Sequence, residues 1–233
     1  MASRVVQQPV AQQIVELVRE LGLRPGDGMP TELELIERLG VSRNTVREAI
    51  RELRAWGIVD IRHGHGTFVA SPSLQALAPS LVFRTLVAGP DGLLALRNLA
   101  RVREMLETSA VVELVGVLSD DDRAHLTDLA EEIGDPKLSA DADRRFHRAL
   151  YSHLDNPLIG QLVDVFWDAY HEAHDQLADV SPYGHDSVEA HRAIIRAVVD
   201  GDAGIAQEAM RAHFQGIYAR LDASTSKLTT ASA

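Results

Sequence analysis

The sequence predicts a mostly α-helical protein in two parts: a small helical N-terminal domain closed by a β-hairpin, then an all-helical antiparallel bundle. Three observations carry this expectation. Aromatics make up 5% of the 233 residues while 45% are hydrophobic and Ala and Leu abound, a balance that suits helices better than a sandwich or barrel. Apolar residues recur at helical spacing through most of the chain. Only between Ile58 and Ala70 does the period drop to two.

Ile14, Leu17, Val18 and Leu21 form the apolar stripe of a first helix, which Gly22 and Pro25-Gly26 end. A second helix starts at Thr31, where Thr31 and Glu34 have capping-box spacing, and stops at Gly40. A third follows Ser42 as its cap, with Val41 and Val46 placed as a hydrophobic staple, and runs to Trp56 and Gly57. Ile58 to Arg62 and Thr67 to Ala70 are β-prone runs around His63-Gly64-His65-Gly66, a hairpin turn. Three helices and a hairpin, with a tight turn of Gly40, Val41 and Ser42 before the last helix, outline a winged helix-turn-helix over residues 1–72.

After the Ser71-Pro72-Ser73 linker, residues 73–223 show helical periodicity only. Candidate helices run Leu74 to Leu86, Gly92 to Leu118, Asp120 to Ile133, Ala140 to Leu154, Pro157 to Asp179, Ser187 to Asp200 and Ala203 to Leu221, with Ser119 and Ser139 as caps. The Ser-, Thr- and Ala-rich stretch 224–233 is expected to be a disordered tail.

Zero Cys excludes disulfides, thiolate zinc sites and a cysteine nucleophile, leaving only nitrogen and oxygen as metal ligands. No apolar run is long enough for a membrane span, and Met1 to Gln13 lacks the order of a secretion signal, so a cytoplasmic location is expected. The net charge of -11 argues against nucleic acid only if taken whole. The first 75 residues hold nine Arg, no Lys and nine acids, so the excess acid lies downstream. Arg38 to Arg62 holds six Arg against three acids, a local basic patch.

On the third helix, Arg43, Arg47, Arg51 and Arg54 fall within an arc of roughly 80°, beside a separate apolar arc of Val46, Ala49, Ile50 and Leu53. A recognition helix needs this division, one side packing and its neighbour reading the major groove. The first turn, Arg43, Asn44, Thr45 and Arg47, is the expected base reader. Arg51 and Arg54 suit phosphates or the neighbouring acids, and His63 and His65 at the hairpin tip could reach the DNA as a wing does.

Downstream, Asp143 and His147 stand at i and i+4, on one helix face. His191 and His213 lie on separate helices, in reach if the bundle closes around that face. One carboxylate and three imidazoles would suit zinc, nickel or manganese with a position left for a ligand oxygen. With ten His in the chain, spacing alone leaves this set open, and His171 with His174 at i, i+3 is a competing pair.

The stretch Ile14 to Ala70 resembles the DNA-binding domain of GntR-type bacterial repressors. The resemblance rests on Leu23-Arg24-Pro25-Gly26, Pro30-Thr31-Glu32, Leu39-Gly40-Val41-Ser42-Arg43, Val46 to Leu53, Gly57-Ile58-Val59 and Gly64 to Val69. It implies DNA-contacting roles for Arg43, Arg47 and His63. One departure is Leu33, where members usually carry Arg. The downstream part resembles the FCD effector domain of the FadR-like branch, through Arg103-Glu104-Met105-Leu106-Glu107, Asp143 to His147, Asn156-Pro157-Leu158, His191-Arg192-Ala193-Ile194 and Ala209 to His213. That resemblance implies a divalent metal on Asp143, His147, His191 and His213, and a small carboxylate effector at Arg103 and Asn156, with Arg97 and Arg101 as alternatives to Arg103.

The expected protein is therefore a ligand-responsive regulator, a repressor in its family's manner, which binds a pseudo-palindromic double-stranded DNA operator as a homodimer. The competing reading is a metal-dependent hydrolase or lyase with a basic module attached. It is weakened because no His-Glu-x-x-His, Ser/His/Asp or glycine-rich phosphate motif is present.

Overall fold

The computed structural model describes residues 8–71, 73–177, 183 and 186–231. The chain divides into two compact units, Met1–Ala76 and Leu77–Ala233.

In the first unit, α1 (Val10–Glu20), α2 (Glu32–Leu39) and α3 (Arg43–Ala55) precede the hairpin of β1 (Val59–Arg62) and β2 (Gly66–Val69). The capping box at Thr31 forms as its spacing implies: the Thr31 hydroxyl accepts from Glu34 N at 3.3 Å, and the Glu34 carboxylate accepts from Thr31 N at 2.7 Å. Gly40 closes α2 at φ 65°, a left-handed angle that costs a glycine little. Ser42 caps α3 by accepting from Thr45 N at 3.2 Å. Ile14, Leu35, Val46, Ala49, Ile50, Leu53 and Val59 form the core, so each helix commits its apolar stripe inward.

Antiparallel pairing runs from Val59 opposite Val69 to Arg62 opposite Gly66, which leaves a turn of His63, Gly64 and His65. Gly66 thus belongs to β2 rather than to the turn. A second difference concerns Pro25 to Met29, where the sequence suggests only a break. Gly26 N donates to Val69 O and Met29 N to Thr67 O, and Val69 N donates to Asp27 O, so this segment lines the outer edge of β2. Its Gly and Pro content hides a strand-like partner whose bonds come from backbone alone.

The second unit contains α4 (Ala78–Leu86), α5 (Gly92–Glu113), α6 (Asp120–Glu132), α7 (Ser139–Tyr151), α8 (Pro157–Leu177), α9 (Ser187–Asp200) and α10 (Ala203–Ala231). Six of these close a ring in which α5 packs on α8, α8 on α7, α7 on α6, α6 on α9, α9 on α10 and α10 back on α5. α4 lies outside it against α8. The ring is held by Leu96, Val111, Leu126, Phe146, Leu150, Tyr170, Ile194, Met210 and Phe214, all at most 2% exposed.

Two local expectations change here. Ser119 caps α6 through a box with Asp122, but Ser139 is the first helical residue of α7, because Leu138 N and Ser139 N already donate to Asp135 O. α10 continues past Ser224 to Ala231, where the sequence suggests disorder. No Pro or Gly follows Gly216 to stop a helix already formed. Residues 232–233 of that tail lie outside the described residues.

Candidate functional site

α3 carries its basic residues on the solvent side, since Arg43, Asn44, Thr45, Arg47, Arg51 and Arg54 are exposed while Val46, Ala49, Ile50 and Leu53 are buried. Arg47 Nε donates to both carboxylate oxygens of Glu32, at 3.0 Å each, which aims the guanidinium along the first turn of α2. Thr45 Oγ1 lies 2.9 Å from Ser42 Oγ and so helps the cap. Arg51 pairs with Glu48, both about 70% exposed. Ion pairs this exposed are worth little, so either arginine can exchange its partner for a phosphate at small cost. His63 and His65 are exposed at the wing tip, and Leu33 is 58% exposed. Arg62, which the sequence places only in the basic patch, has its guanidinium 4.3 Å over the Phe68 ring and braces the hairpin across its strands.

The ring of helices brings Asp143 and His147 of α7, His191 of α9 and His213 of α10 together in its interior, each at most 6% exposed. One nitrogen from each of the three imidazoles lies within 4.8 Å of the others. Nε2 of His147, of His191 and of His213 is buried without a hydrogen-bond partner. Asp143 Oδ1 stands 3.1 Å from His191 Nε2 and 3.7 Å from His147 Nε2, and Trp167 Nε1 donates to the other oxygen. The His191 tautomer is set by Nδ1, which donates to Ser187 O at 2.7 Å and leaves the Nε2 lone pair facing the cluster. Buried nitrogens with no partner are costly in a folded protein, so three of them converging beside a carboxylate fit a cation between them.

Sequence reasoning assigned no role to Glu107, yet it is 0% exposed and touches three groups. Arg103 Nε donates to Oε1 at 2.9 Å, and Tyr151 OH donates to Oε2 at 2.9 Å. His147 Nδ1 lies 2.8 Å from the same Oε2, an ion-pair distance with the N–H out of the line that a full hydrogen bond needs. Burial pushes the Glu107 carboxyl up, but the Arg103 guanidinium and then His147 outweigh it and bring it down to about 2. For His147, burial acts downward, and Glu107 and Asp143 outweigh it and raise the imidazole to about 9. Burial, with His191 and His147 alongside, holds His213 well below its ordinary value. Burial opposes the Asp143 charge, but His147 and His191 keep that carboxyl well below its usual range.

A small cavity of about 20 Å³ adjoins this cluster, and its lining includes Arg103, Asp143, Tyr170, His171, Tyr183, His191 and His213. Arg103 is 2% exposed and its Nη2 has no hydrogen-bond partner. Arg97 is half-buried and paired with Asp222, Arg101 is exposed and paired with Glu104, and neither lines the cavity. The competing pair resolves too. His171 donates from Nδ1 to Trp167 O at 2.9 Å, accepts at Nε2 from Tyr183 OH at 2.7 Å, and is held neutral by burial, down to about 3. Both its nitrogens are engaged, and His174 is buried outside the cavity lining. Asn156 corrects an expectation. It is exposed, does not line the cavity, and its Oδ1 accepts from Leu158 N at 3.1 Å, so it starts α8 as a local cap.

Residues 6–69 match the bacterial regulatory proteins of the gntR family, and residues 98–216 match the FCD domain. This chain belongs to the GntR family and carries an FCD domain. It is 30% identical over 226 residues to the putative L-lactate dehydrogenase operon regulatory protein of Escherichia coli K12, covering 92% of this chain and 86% of that one. It is 27% identical over 210 residues to the HTH-type transcriptional regulator LutR of Bacillus subtilis, covering 86% and 94%. Among solved structures, Streptococcus agalactiae GntR aligns with a TM-score of 0.63 at 29% identity, covering 89% of this chain and 96% of that one. The matched domains and relatives are transcriptional regulators, not enzymes, which decides against the hydrolase or lyase reading. The protein is a DNA-binding, ligand-responsive regulator. Among the described residues no helix is long and apolar enough to cross a membrane.

Proposed function

We propose that this GntR-family regulator acts as a cytoplasmic repressor that binds a pseudo-palindromic operator as a homodimer, and that a small carboxylate bound in the FCD cavity controls its DNA affinity. Arg43, Asn44, Thr45 and Arg47 read bases, Arg51 and the wing residues His63 and His65 contact the backbone, and a divalent ion sits among Asp143, His147, His191 and His213. The donor set of one carboxylate and three imidazoles suits zinc, with nickel or manganese as alternatives. When bound, the ion supplies a Lewis-acidic centre for an effector oxygen, and Arg103 Nη2 meets the carboxylate from the cavity wall.

The observation that carries this reading is the convergence of three buried imidazole nitrogens without hydrogen-bond partners beside a cavity-lining arginine whose Nη2 is likewise buried without one. The relative named for an L-lactate dehydrogenase operon makes L-lactate the first effector to try. An effector acts only through its different affinity for the DNA-competent and DNA-incompetent states, so its binding and operator binding must be reciprocally linked. The test is His147→Ala, with metal content, L-lactate binding and operator binding measured side by side. The variant should lose metal and the effector response while binding operator DNA without effector as wild type does. Full metal occupancy with an unchanged effector response overturns the reading and leaves His147 a packed core residue.

A further inference from the structure

Glu107 sits behind the site rather than in it. Its two carboxylate oxygens face three groups that come from two helices: Arg103 Nε on Oε1, and Tyr151 OH and His147 Nδ1 on Oε2. Arg103 lines the cavity and His147 belongs to the imidazole cluster, and each keeps a buried nitrogen without a hydrogen-bond partner, Arg103 at Nη2 and His147 at Nε2. One fully buried carboxylate therefore touches both a cavity-lining arginine and a candidate metal ligand.

Resting on the metal-and-carboxylate reading above, we propose that Glu107 is a positioning residue that couples the cavity arginine to the metal ligand His147, so that occupancy of Arg103 and metal affinity are linked through this side chain. Two physical effects make the link. A carboxylate can only accept, so Glu107 favours a proton on His147 Nδ1 and thereby leaves Nε2 as the nitrogen that gives up its proton to take an ion. The same carboxylate shares its charge between Arg103 and His147, so an anion that draws on the guanidinium leaves more of that charge facing the imidazole. Partners behind a ligating imidazole commonly tune metal affinity by 10–100-fold. The i, i+4 spacing of Arg103 and Glu107 on α5 gives both residues one backbone frame, and Tyr151 fixes the carboxylate from α7.

The experiment is a Zn2+ titration by chelator competition on full-length wild type, Glu107→Gln, Arg103→Met and the double variant, with helical circular dichroism recorded for each. Glu107→Gln keeps the shape but offers an amide that can donate to His147. Its Zn2+ affinity should fall roughly 10–100-fold. Arg103→Met should shift Zn2+ affinity several-fold in the presence of Glu107 and leave it unchanged in the Glu107→Gln background. Circular dichroism equal to wild type in all four proteins assigns that non-additivity to the site rather than to a loss of fold. If the two substitutions shift Zn2+ affinity additively, the coupling is refuted while the metal site stands. If wild type binds no Zn2+, the site reading itself falls and takes the coupling with it. Should Glu107→Gln fail to fold, 15N-imidazole NMR of Zn2+-loaded wild type decides the matter, with the His147 resonances identified by their loss in His147→Gln. The coupling requires a proton on His147 Nδ1, and an Nε2–H tautomer contradicts it.

Discussion

Metal uptake should release one proton, and the buried geometry around His147 says why. With its pKa raised to about 9 by Glu107 and Asp143, the metal-free imidazole is almost fully protonated at pH 7.5. An ion can bind Nε2 only after that proton leaves. Asp143, held well below its usual range, and His213, held well below its ordinary value, carry no proton to lose at that pH. The expected release from His147 is therefore close to one proton per ion, against roughly 0.1 for an imidazole at its ordinary value of about 6.5. Apparent affinity should rise about tenfold per pH unit between pH 7 and 8.5, or about 1.4 kcal/mol per unit, and flatten above 9. Isothermal titration calorimetry in buffers of different ionisation enthalpy counts the protons directly. His147→Gln should lower the count by about one, which separates His147 from any water that ionises on the metal. A wild-type count unchanged by His147→Gln would refute the charge balance described for this cluster.

Three further outcomes follow from other parts of the structure. Arg43→Ala and Arg47→Ala should each weaken specific operator binding by about 1–3 kcal/mol at fixed salt with the fold intact, and wild-type affinity in both variants would remove α3 from the DNA interface. Thr31→Ala deletes one half of the capping box at α2 and should cost about 1 kcal/mol in the denaturation of the N-terminal unit, whereas an unchanged transition would show that the cap contributes nothing. Glu107 titrates at about 2 in the folded protein and near 4.5 when unfolded. The unfolded state binds that proton first, so the stability it contributes is complete above pH 4.5 and is lost as the pH falls toward 2. Acid denaturation of Glu107→Gln should accordingly show a shallower pH dependence across that window, and identical profiles would contradict the folded-state value.

The parts of this molecule that sequence reasoning reached share a feature: their physics is local. Thr31 with Glu34, Ser42 with Thr45 and the apolar and arginine arcs of α3 all act within one or two turns, and the structure shows each cap and each face. Asp143 and His147 were visible for the same reason, through i, i+4 spacing. His191 and His213 were not, because nothing in their own surroundings ties them to α7, and only the family resemblance joined the four before the ring of helices did. Glu107 was missed because an Arg followed by Glu at i+4 reads as a solvated pair. Its burial at 0% exposure comes from α8 and α10 packing on α5, with Tyr151 and His147 reaching it from α7, which no window of sequence reports. Asn156 erred the other way, since an Asn before Pro starts a helix by capping and needs no ligand to explain it.

The most direct test of the account is an operator titration on metal-loaded and metal-stripped protein, each with and without L-lactate and a panel of small carboxylates, on a duplex that the protein itself selects from random sequence. The account predicts that a carboxylate shifts DNA affinity several-fold only when the metal is bound, and that the stripped protein still binds the duplex but ignores the carboxylate. An equal carboxylate response from metal-loaded and metal-stripped protein would contradict it.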